Sequence, residues 1–297
     1  MKRLLIIKTG AAGDVVRTTT LLRLFLDWEV DWLTAKENRQ LLEGSQIHHL
    51  MDDPTDLAAD PRYDLVICLE DDAEFARNVL SRTRFDRIFG ACLDKDGSLK
   101  YTDDAAEWFD MSLISRFGRK EADAIKLRNR KSYQEMIFQS LGRTFSGEEY
   151  VMPKLLPDTG LHGDIAVSPK AGARWPIKNW HYFDKLIEDL SKRYTVNILP
   201  TRKTLLEHIG DIRGHRFLIS GDSLPMHIAL GLQIPSVAIF TCTSPWEIYD
   251  YGILTKVVSP TLEQYFYSRE FVLNAVTSLP YEEVNGIVAN RLEKFGI

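Results

Sequence analysis

Lys2-Arg3-Leu4-Leu5-Ile6-Ile7-Lys8-Thr9-Gly10-Ala11-Ala12-Gly13-Asp14-Val15-Val16-Arg17 is the stretch that decides the reading of the fold. Lys2 to Lys8 is a short apolar run with β-branched residues. A tight, Gly-containing turn ends it, and from Val15 to Trp28 apolar positions recur at helical spacing. Strand, tight loop and helix are predicted in that order. Asp14 stands where a helix N-cap is expected, its carboxylate able to accept from backbone N–H groups. Outward from this unit, strands are predicted over Val30 to Thr34, Leu65 to Leu69 and Arg87 to Phe89. Helical patterns cover Lys36 to Glu43, Ala73 to Ser81, Ala105 to Phe117 and Ser132 to Leu141. Strands alternating with helices imply an α/β fold with a mostly parallel sheet.

Leu141 to Gly163 breaks this rhythm with four glycines and two prolines, which marks a linker. A second α/β unit follows. Strands are predicted over Ile165 to Ser168, Val196 to Leu199, Phe217 to Ser220 and Ser236 to Phe240, and helices over Trp180 to Lys192, Pro225 to Leu232 and Tyr281 to Phe295. The organisation expected is two Rossmann-like domains, 1–150 and 151–297, facing across an interdomain cleft, a favoured place for a ligand.

Composition narrows the class of function. With 44% hydrophobic and 27% charged residues the chain is an ordinary globular one. A net charge of -5 disfavours nucleic acid as a partner, since gripping phosphates calls for a basic surface. Cys68, Cys92 and Cys242 lack metal-ligand spacing and read as free thiols in a reducing compartment. The four apolar residues Leu4 to Ile7 are too few for a signal-peptide core, and no stretch is long enough to span a bilayer, so a cytoplasmic location is expected.

Four segments carry candidate chemistry. The loop Lys8 to Asp14 lies at the carboxyl end of the first strand, where open α/β sheets bind ligands. It lacks the glycines of the dinucleotide fingerprint and the Gly-Lys-Ser/Thr of a P-loop. Asp14 at its end is either a helix cap or a base that takes a proton from an attacking hydroxyl. Ser168 to Trp180 is a strand end running through a basic loop into a helix, and Lys170, Arg174 and Lys178 would suit a diphosphate. Ile219 to Ala229 is again strand, polar turn and helix, with Asp222 or Ser223 as N-cap, Pro225 near the first turn and His227 able to donate to a phosphate. In the fourth segment, Phe240 to Trp246, hydroxyls including Thr243 would line the same crevice. For any single cation or histidine among these, a packed or solvated role is the plain alternative.

Taken together the segments resemble glycosyltransferase family 9, the ADP-heptose heptosyltransferases. Gly13-Asp14-Val15-Val16-Arg17-Thr18-Thr19 is similar to the family's opening Gly-Asp. Trp175-Pro176-Ile177-Lys178-Asn179-Trp180 is similar to its Trp-Pro-x-Lys-x-Trp region, and Asp222-Ser223-Leu224-Pro225-Met226-His227 to its Asp-Ser-Gly-Pro-Met-His turn. The resemblance implies the GT-B architecture and inversion at the anomeric carbon, with no cofactor and no required metal. It implies an acceptor-binding N-terminal domain and a donor-binding C-terminal domain. By the same resemblance Asp14 is the catalytic base and Lys178 stabilises charge on the departing nucleotide. Ser168, Lys170, Arg174, Asp222, Ser223, His227 and Thr243 are expected on the donor, and Gly13, Glu70 and Asp71 beside the acceptor. The implied donor is ADP-heptose, and the implied acceptor is a glycan or lipid-linked glycan such as the lipopolysaccharide inner core. Three departures stand out. Leu224 replaces a glycine, Cys242 replaces a proline, and Pro200-Thr201-Arg202-Lys203 occupies the place of an acidic residue, with only about twenty residues between Leu199 and Ser220 for what is usually a further strand and helix.

Two rival readings differ in kind. Glu70-Asp71-Asp72 after a strand is the pattern of a divalent-metal site in single-domain GT-A glycosyltransferases, although the second α/β half has no role in that scheme. A nucleotide-sugar-binding module without catalysis would share the fold, as would a transferase using a UDP- or GDP-sugar. Arg116 to Lys131 is a basic run, either a solvated face or a contact with an anionic acceptor or, peripherally, with an anionic inner-membrane surface.

Overall fold

A computed structural model describes residues 1–57, 61–172 and 174–297. Ala173, in the basic loop quoted above, lies outside them. The chain divides into two units, Met1–Leu155 and Leu156–Ile297, the division falling inside the coil expected to link two domains.

In the first unit β1 (Lys2–Ile7) leads through the turn into α1 (Ala12–Thr18), followed by β2 (Trp28–Leu33), β3 (His49–Met51), β4 (Arg62–Cys68), α2 (Ala73–Leu80), β5 (Arg84–Leu93) and β6 (Leu99–Tyr101). Three helices complete it: α3 (Ala106–Phe109), α4 (Gly118–Arg128) and α5 (Tyr133–Ser140). The sheet order is β3-β2-β1-β4-β5-β6, parallel except for β6. Leu4 to Ile7 and Val66 to Cys68 are fully buried, as expected of central strands covered on both faces. Gly90 of β5, at φ +95°, lies so close to the Cys68 carbonyl that a Cβ there would sit 2.1 Å from the oxygen, so no other residue fits.

The second unit contains β7 (Gly163–Ser168), α6 (Phe183–Leu190), β8 (Val196–Ile198), α7 (Leu205–Arg213), β9 (His215–Gly221), α8 (Leu224–Gly231), β10 (Ser236–Phe240), β11 (Leu254–Val258), α9 (Leu273–Thr277) and α10 (Tyr281–Lys294). Its sheet is all parallel, in the order β11-β10-β9-β7-β8. Phe183, Leu186 and Leu190 of α6 and Val284, Val288 and Leu292 of α10, spaced three and four residues apart, pack with Ile165, Val167, Phe217 and Ile219 of the sheet.

Several expectations are corrected. The helix over Val15 to Trp28 stops at Thr18 and tightens into a 3-10 turn, Thr19–Arg23. Thr18, Thr19 and Thr20 donate their hydroxyls to the carbonyls of Asp14, Val16 and Arg17, a local bonding that competes with the helical ladder. Asp14 is not the N-cap: that position is Ala11, and Asp14 lies in the first turn. Lys36–Leu41 is a 3-10 turn. The helix over Ala105 to Phe117 shrinks to α3, because Ser112 Oγ donates to the Phe109 carbonyl and accepts from Ile114 N. α6 begins three residues after Trp180, whose indole donates instead to the Leu279 carbonyl. The segment between Leu199 and Ser220 does hold a helix, α7, opened by a Thr204–Glu207 capping box. All three cysteines are buried and free, and burial pushes the Cys68 thiol up to about 12 and Cys242 up to about 11. Among the described residues no helix is long and apolar enough to cross a membrane.

Candidate functional site

Parallel strands deliver their following loops to one edge of a sheet, and a crevice opens where the strand order reverses, because adjacent loops there depart to opposite faces. In the first unit that reversal lies between β1 and β4, and in the second between β7 and β9. At each reversal a side chain following one strand is bonded to a residue following the other.

In the first unit Glu70, after β4, accepts from the backbone N–H of Thr9, after β1, and from Thr9 Oγ1 at 2.8 Å. Asn38 Nδ2 donates to the Thr9 carbonyl at 2.6 Å, and Lys8 Nζ donates to the Leu69 carbonyl at 3.2 Å. The loop that enters α1 is thereby fixed from three directions. One turn on, Asp14 Oδ1 takes Arg17 Nη2 at 2.9 Å. Arg17 is buried, its guanidinium 4.2 Å from the centre of the Tyr133 ring and 5.2 Å from that of Trp108. Stacking holds the planar cation, and the cation in turn orients a carboxylate whose side chain stays 34% exposed. Such a carboxylate can accept a proton from an incoming hydroxyl.

In the second unit Lys178 Nζ, beyond β7, donates to Asp222 Oδ2 at 2.7 Å and to the Asp222 carbonyl at 2.8 Å. Thr243, beyond β10, donates to the same Oδ2 at 2.5 Å. Thr241 Oγ1 donates to the Ile177 carbonyl at 2.6 Å, which anchors the loop carrying Lys178. Gly221 allows this approach, since a Cβ there would lie 3.0 Å from the Lys178 carbonyl. Burial pushes the Asp222 carboxyl up, but the charges of Lys178 and His227 and the bonds from Lys178 and Thr243 outweigh it and hold it below the usual carboxylate range. Ser223 occupies the N-cap of α8 without capping it, and its hydroxyl turns to the Gly221 carbonyl. The start of α8 thus has no cap from Ser223. Pro225 carries no N–H and Met226 N donates to the Ser223 carbonyl at 3.1 Å, which leaves the Leu224 amide at this helix start for an anion.

The expected residues fall into these groups unevenly. Asp222, Thr243 and Lys178 come together, with His227 buried on α8. Ser168 ends β7 opposite Ser220 in register, and both are buried. Lys170 and Arg174 are exposed on the preceding loop. Glu70 is 4% exposed and committed to Thr9, Asp71 is exposed, and Asp72 caps α2 through Phe75 N. The three acids therefore do not converge as a GT-A metal site would need. Gly13 is a first-turn residue of α1. Arg202, in the Pro200 to Lys203 stretch that occupies the place of the family's acid, grips Asp211 with two bonds of 2.7 Å, and Thr159 adds a third at 2.5 Å.

Sequence reasoning missed Arg17, although its place three residues after Asp14 is a readable helical pairing signal. It also missed Thr9 and Asn38, which are joined across 29 residues without a local signature.

Residues 181–266 match the family model of glycosyltransferase family 9 (heptosyltransferase). No curated protein matches the chain. Among solved structures, E. coli heptosyltransferase WaaC with ADP-2-deoxy-2-fluoro heptose is 15% identical, with 97% of this chain and 99% of that one covered at a TM-score of 0.60. E. coli ADP-heptose lps heptosyltransferase II is 12% identical, with 100% of both chains covered and a TM-score of 0.61. The iron-containing dodecameric glycosyltransferase TibC from enterotoxigenic E. coli is 12% identical, with 99% of this chain and 77% of that one covered and a TM-score of 0.59. The fold is that of GT-B heptosyltransferases. The resemblance to glycosyltransferase family 9 read from the sequence therefore holds at two levels, the family's model within the second unit and the heptosyltransferase fold along the whole chain.

Proposed function

We propose that the protein is an inverting glycosyltransferase that moves heptose from ADP-heptose to a hydroxyl of a glycan or lipid-linked acceptor such as the lipopolysaccharide inner core. The observation that carries this reading is the Lys178, Asp222 and Thr243 cluster at the reversal of the second sheet, beside the uncapped start of α8. The diphosphate accepts from the Leu224 amide at the start of α8, while Lys170 and Arg174 on their exposed loop add positive charge. Asp14, oriented by Arg17, removes the acceptor hydroxyl proton as that oxygen attacks the anomeric carbon from the face opposite the nucleotide. The new C–O bond forms as the bond to the β-phosphate oxygen breaks, so ADP leaves with the electron pair and the configuration inverts. Lys178, held ready by Asp222, turns part of its charge to the departing oxygen. On this reading the protein works in the cytoplasm, and the exposed Phe117 beside basic α4 touches an anionic membrane surface.

Acceptor-dependent ADP release from ADP-heptose tests the reading. Loss in both Asp14→Asn and Lys178→Ala, with folding retained, supports it, and undiminished turnover in both overturns it. The engagement of Arg202 with Asp211 favours a second reading, in which the nucleoside is not adenosine. Calorimetric titration with UDP- and GDP-sugars beside ADP-heptose separates the two readings.

A further inference from the structure

Asp31 is an acidic residue in the middle of β2, with only 3% of its side chain exposed, and a carboxylate there must be paired. Its Oδ2 takes Arg3 Nη2 at 3.0 Å and the Tyr63 hydroxyl at 2.8 Å. With Oδ2 fixed, Oδ1 faces two imidazoles, His48 Nδ1 at 3.4 Å and His49 Nδ1 at 3.2 Å.

Adjacent residues of a regular strand point to opposite faces. His49 begins β3 opposite Asp31 in register. His48 still lies outside the strand, its N–H donating to the Val30 carbonyl at 2.7 Å, so its ring also turns to Asp31 and meets that of His49 edge to face at 4.1 Å. One ligand atom from each of the three residues then falls within 4.8 Å of the others. A tetrahedral ion with bonds of about 2.0 Å needs ligand atoms about 3.3 Å apart, the separation already present between the carboxylate and each ring. The imidazole side chains are 49% and 62% exposed and open into a cavity of about 690 Å³.

We propose that Asp31, His48 and His49 bind a divalent late first-row metal ion such as zinc, with water completing its coordination. Two imidazoles and a carboxylate suit that class of ion rather than magnesium or calcium. Arg3 and Tyr63 act behind the carboxylate, fixing its plane as outer-shell partners of metal ligands do. Arg3 and Tyr63 stand at the amino ends of β1 and β4 and His49 at that of β3, whereas Thr9, Asp14 and Glu70 follow the carboxyl ends of β1 and β4. Its effect is to tie the three-residue edge strand β3 to β2, which stabilises the first unit and takes no part in sugar transfer.

The test uses the full-length, tag-free chain after exhaustive dialysis against a chelator. Calorimetric titration with zinc chloride is expected to give a single equivalent, and cobalt in its place the visible bands of a low-coordinate protein complex. His48→Ala and His49→Ala, at exposed positions, weaken binding by about 10-fold or more each. The double variant loses the zinc-dependent rise in Tm and the cobalt spectrum. Absence of saturable binding to the wild-type chain overturns the proposal. So does binding of one equivalent that the double variant retains, because the ligands then lie elsewhere. Should the double variant fail to fold, the single variants and the wild-type cobalt spectrum decide.

Discussion

Asp14 has a side chain that is one-third exposed and a guanidinium fixing one of its oxygens, so replacing it tests chemistry with little disturbance of packing. Asp14→Asn keeps the shape and removes the base, and turnover per folded molecule is expected to fall by about 10²–10⁴. It also takes the opposing charge from the Arg17 guanidinium, 6% exposed, so the thermal midpoint falls as well and the two proteins are compared at a temperature where both are folded. Equal activity in wild type and variant would dismiss Asp14 as the base. Asp222 makes a different prediction. Its folded carboxyl lies below its usual range, so its ionic contribution to stability is complete above the unfolded carboxylate pKa of about 4 and disappears as the pH falls through the lower folded value. Asp222→Asn leaves the Lys178 ammonium, 11% exposed, without its counter-ion, which is expected to cost about 2–4 kcal/mol near neutrality. Urea unfolding of wild type and variant from pH 7 to pH 3 checks this. The stability gap should narrow below about pH 4, and a gap independent of pH would mean that the carboxylate charge is not its source.

α7 shows what an element gains from its ends. Thr204 Oγ1 accepts from Glu207 N, and the Glu207 carboxylate accepts in return from Thr204 N and Oγ1. Thr204→Ala is expected to remove about 1 kcal/mol, measurable as a lower urea midpoint with an unchanged m-value, and no change at all would mean that tertiary packing alone holds the helix start. This Thr-x-x-Glu pattern was in the sequence. In so short a segment only the capping residues announce the helix, because fewer than three turns leave apolar periodicity little to show. The central strands were legible because Leu4 to Ile7, Val66 to Cys68 and Val237 to Phe240 are continuous apolar runs that only a doubly covered strand accommodates. β3, β6 and β11 were not, being three to five residues long and defined by the neighbour they pair with. In the site, loop glycines and strand-end polar residues pointed to Asp14, Lys178 and Asp222. The ties from Glu70 and Asn38 to Thr9 join distant segments that no local pattern connects. The length of α1 was misjudged because three consecutive threonines bond back to their own helix, a competition that apolar periodicity does not register.

At the scale of the molecule, each of the two sheets reverses its strand order once near its middle and carries a bonded pair at that point, Glu70 with Thr9 in one and Asp222 with Lys178 in the other. The two pairs differ in what they leave for a ligand. The Glu70 carboxylate is closed over a backbone N–H and a hydroxyl, which stiffens the loop before Asp14 and adds no cation. The second pair has an ammonium beside a helix start that its N-cap side chain leaves uncapped, which is where a diphosphate gains most. ADP added to the full-length chain should therefore protect backbone amides from hydrogen exchange in the second unit alone, over residues 168–178, 221–226 and 241–244. At about a hundred times its Kd a ligand stabilises the form it binds by about 2.7 kcal/mol, so amides whose opening disrupts the site should exchange about 100-fold more slowly. Lys178→Ala should reduce that protection, because Asp222 is then left as an uncompensated negative charge facing the phosphates. Protection concentrated instead on residues 8–14 would assign the nucleotide to the first unit and reverse the proposed roles of the two halves.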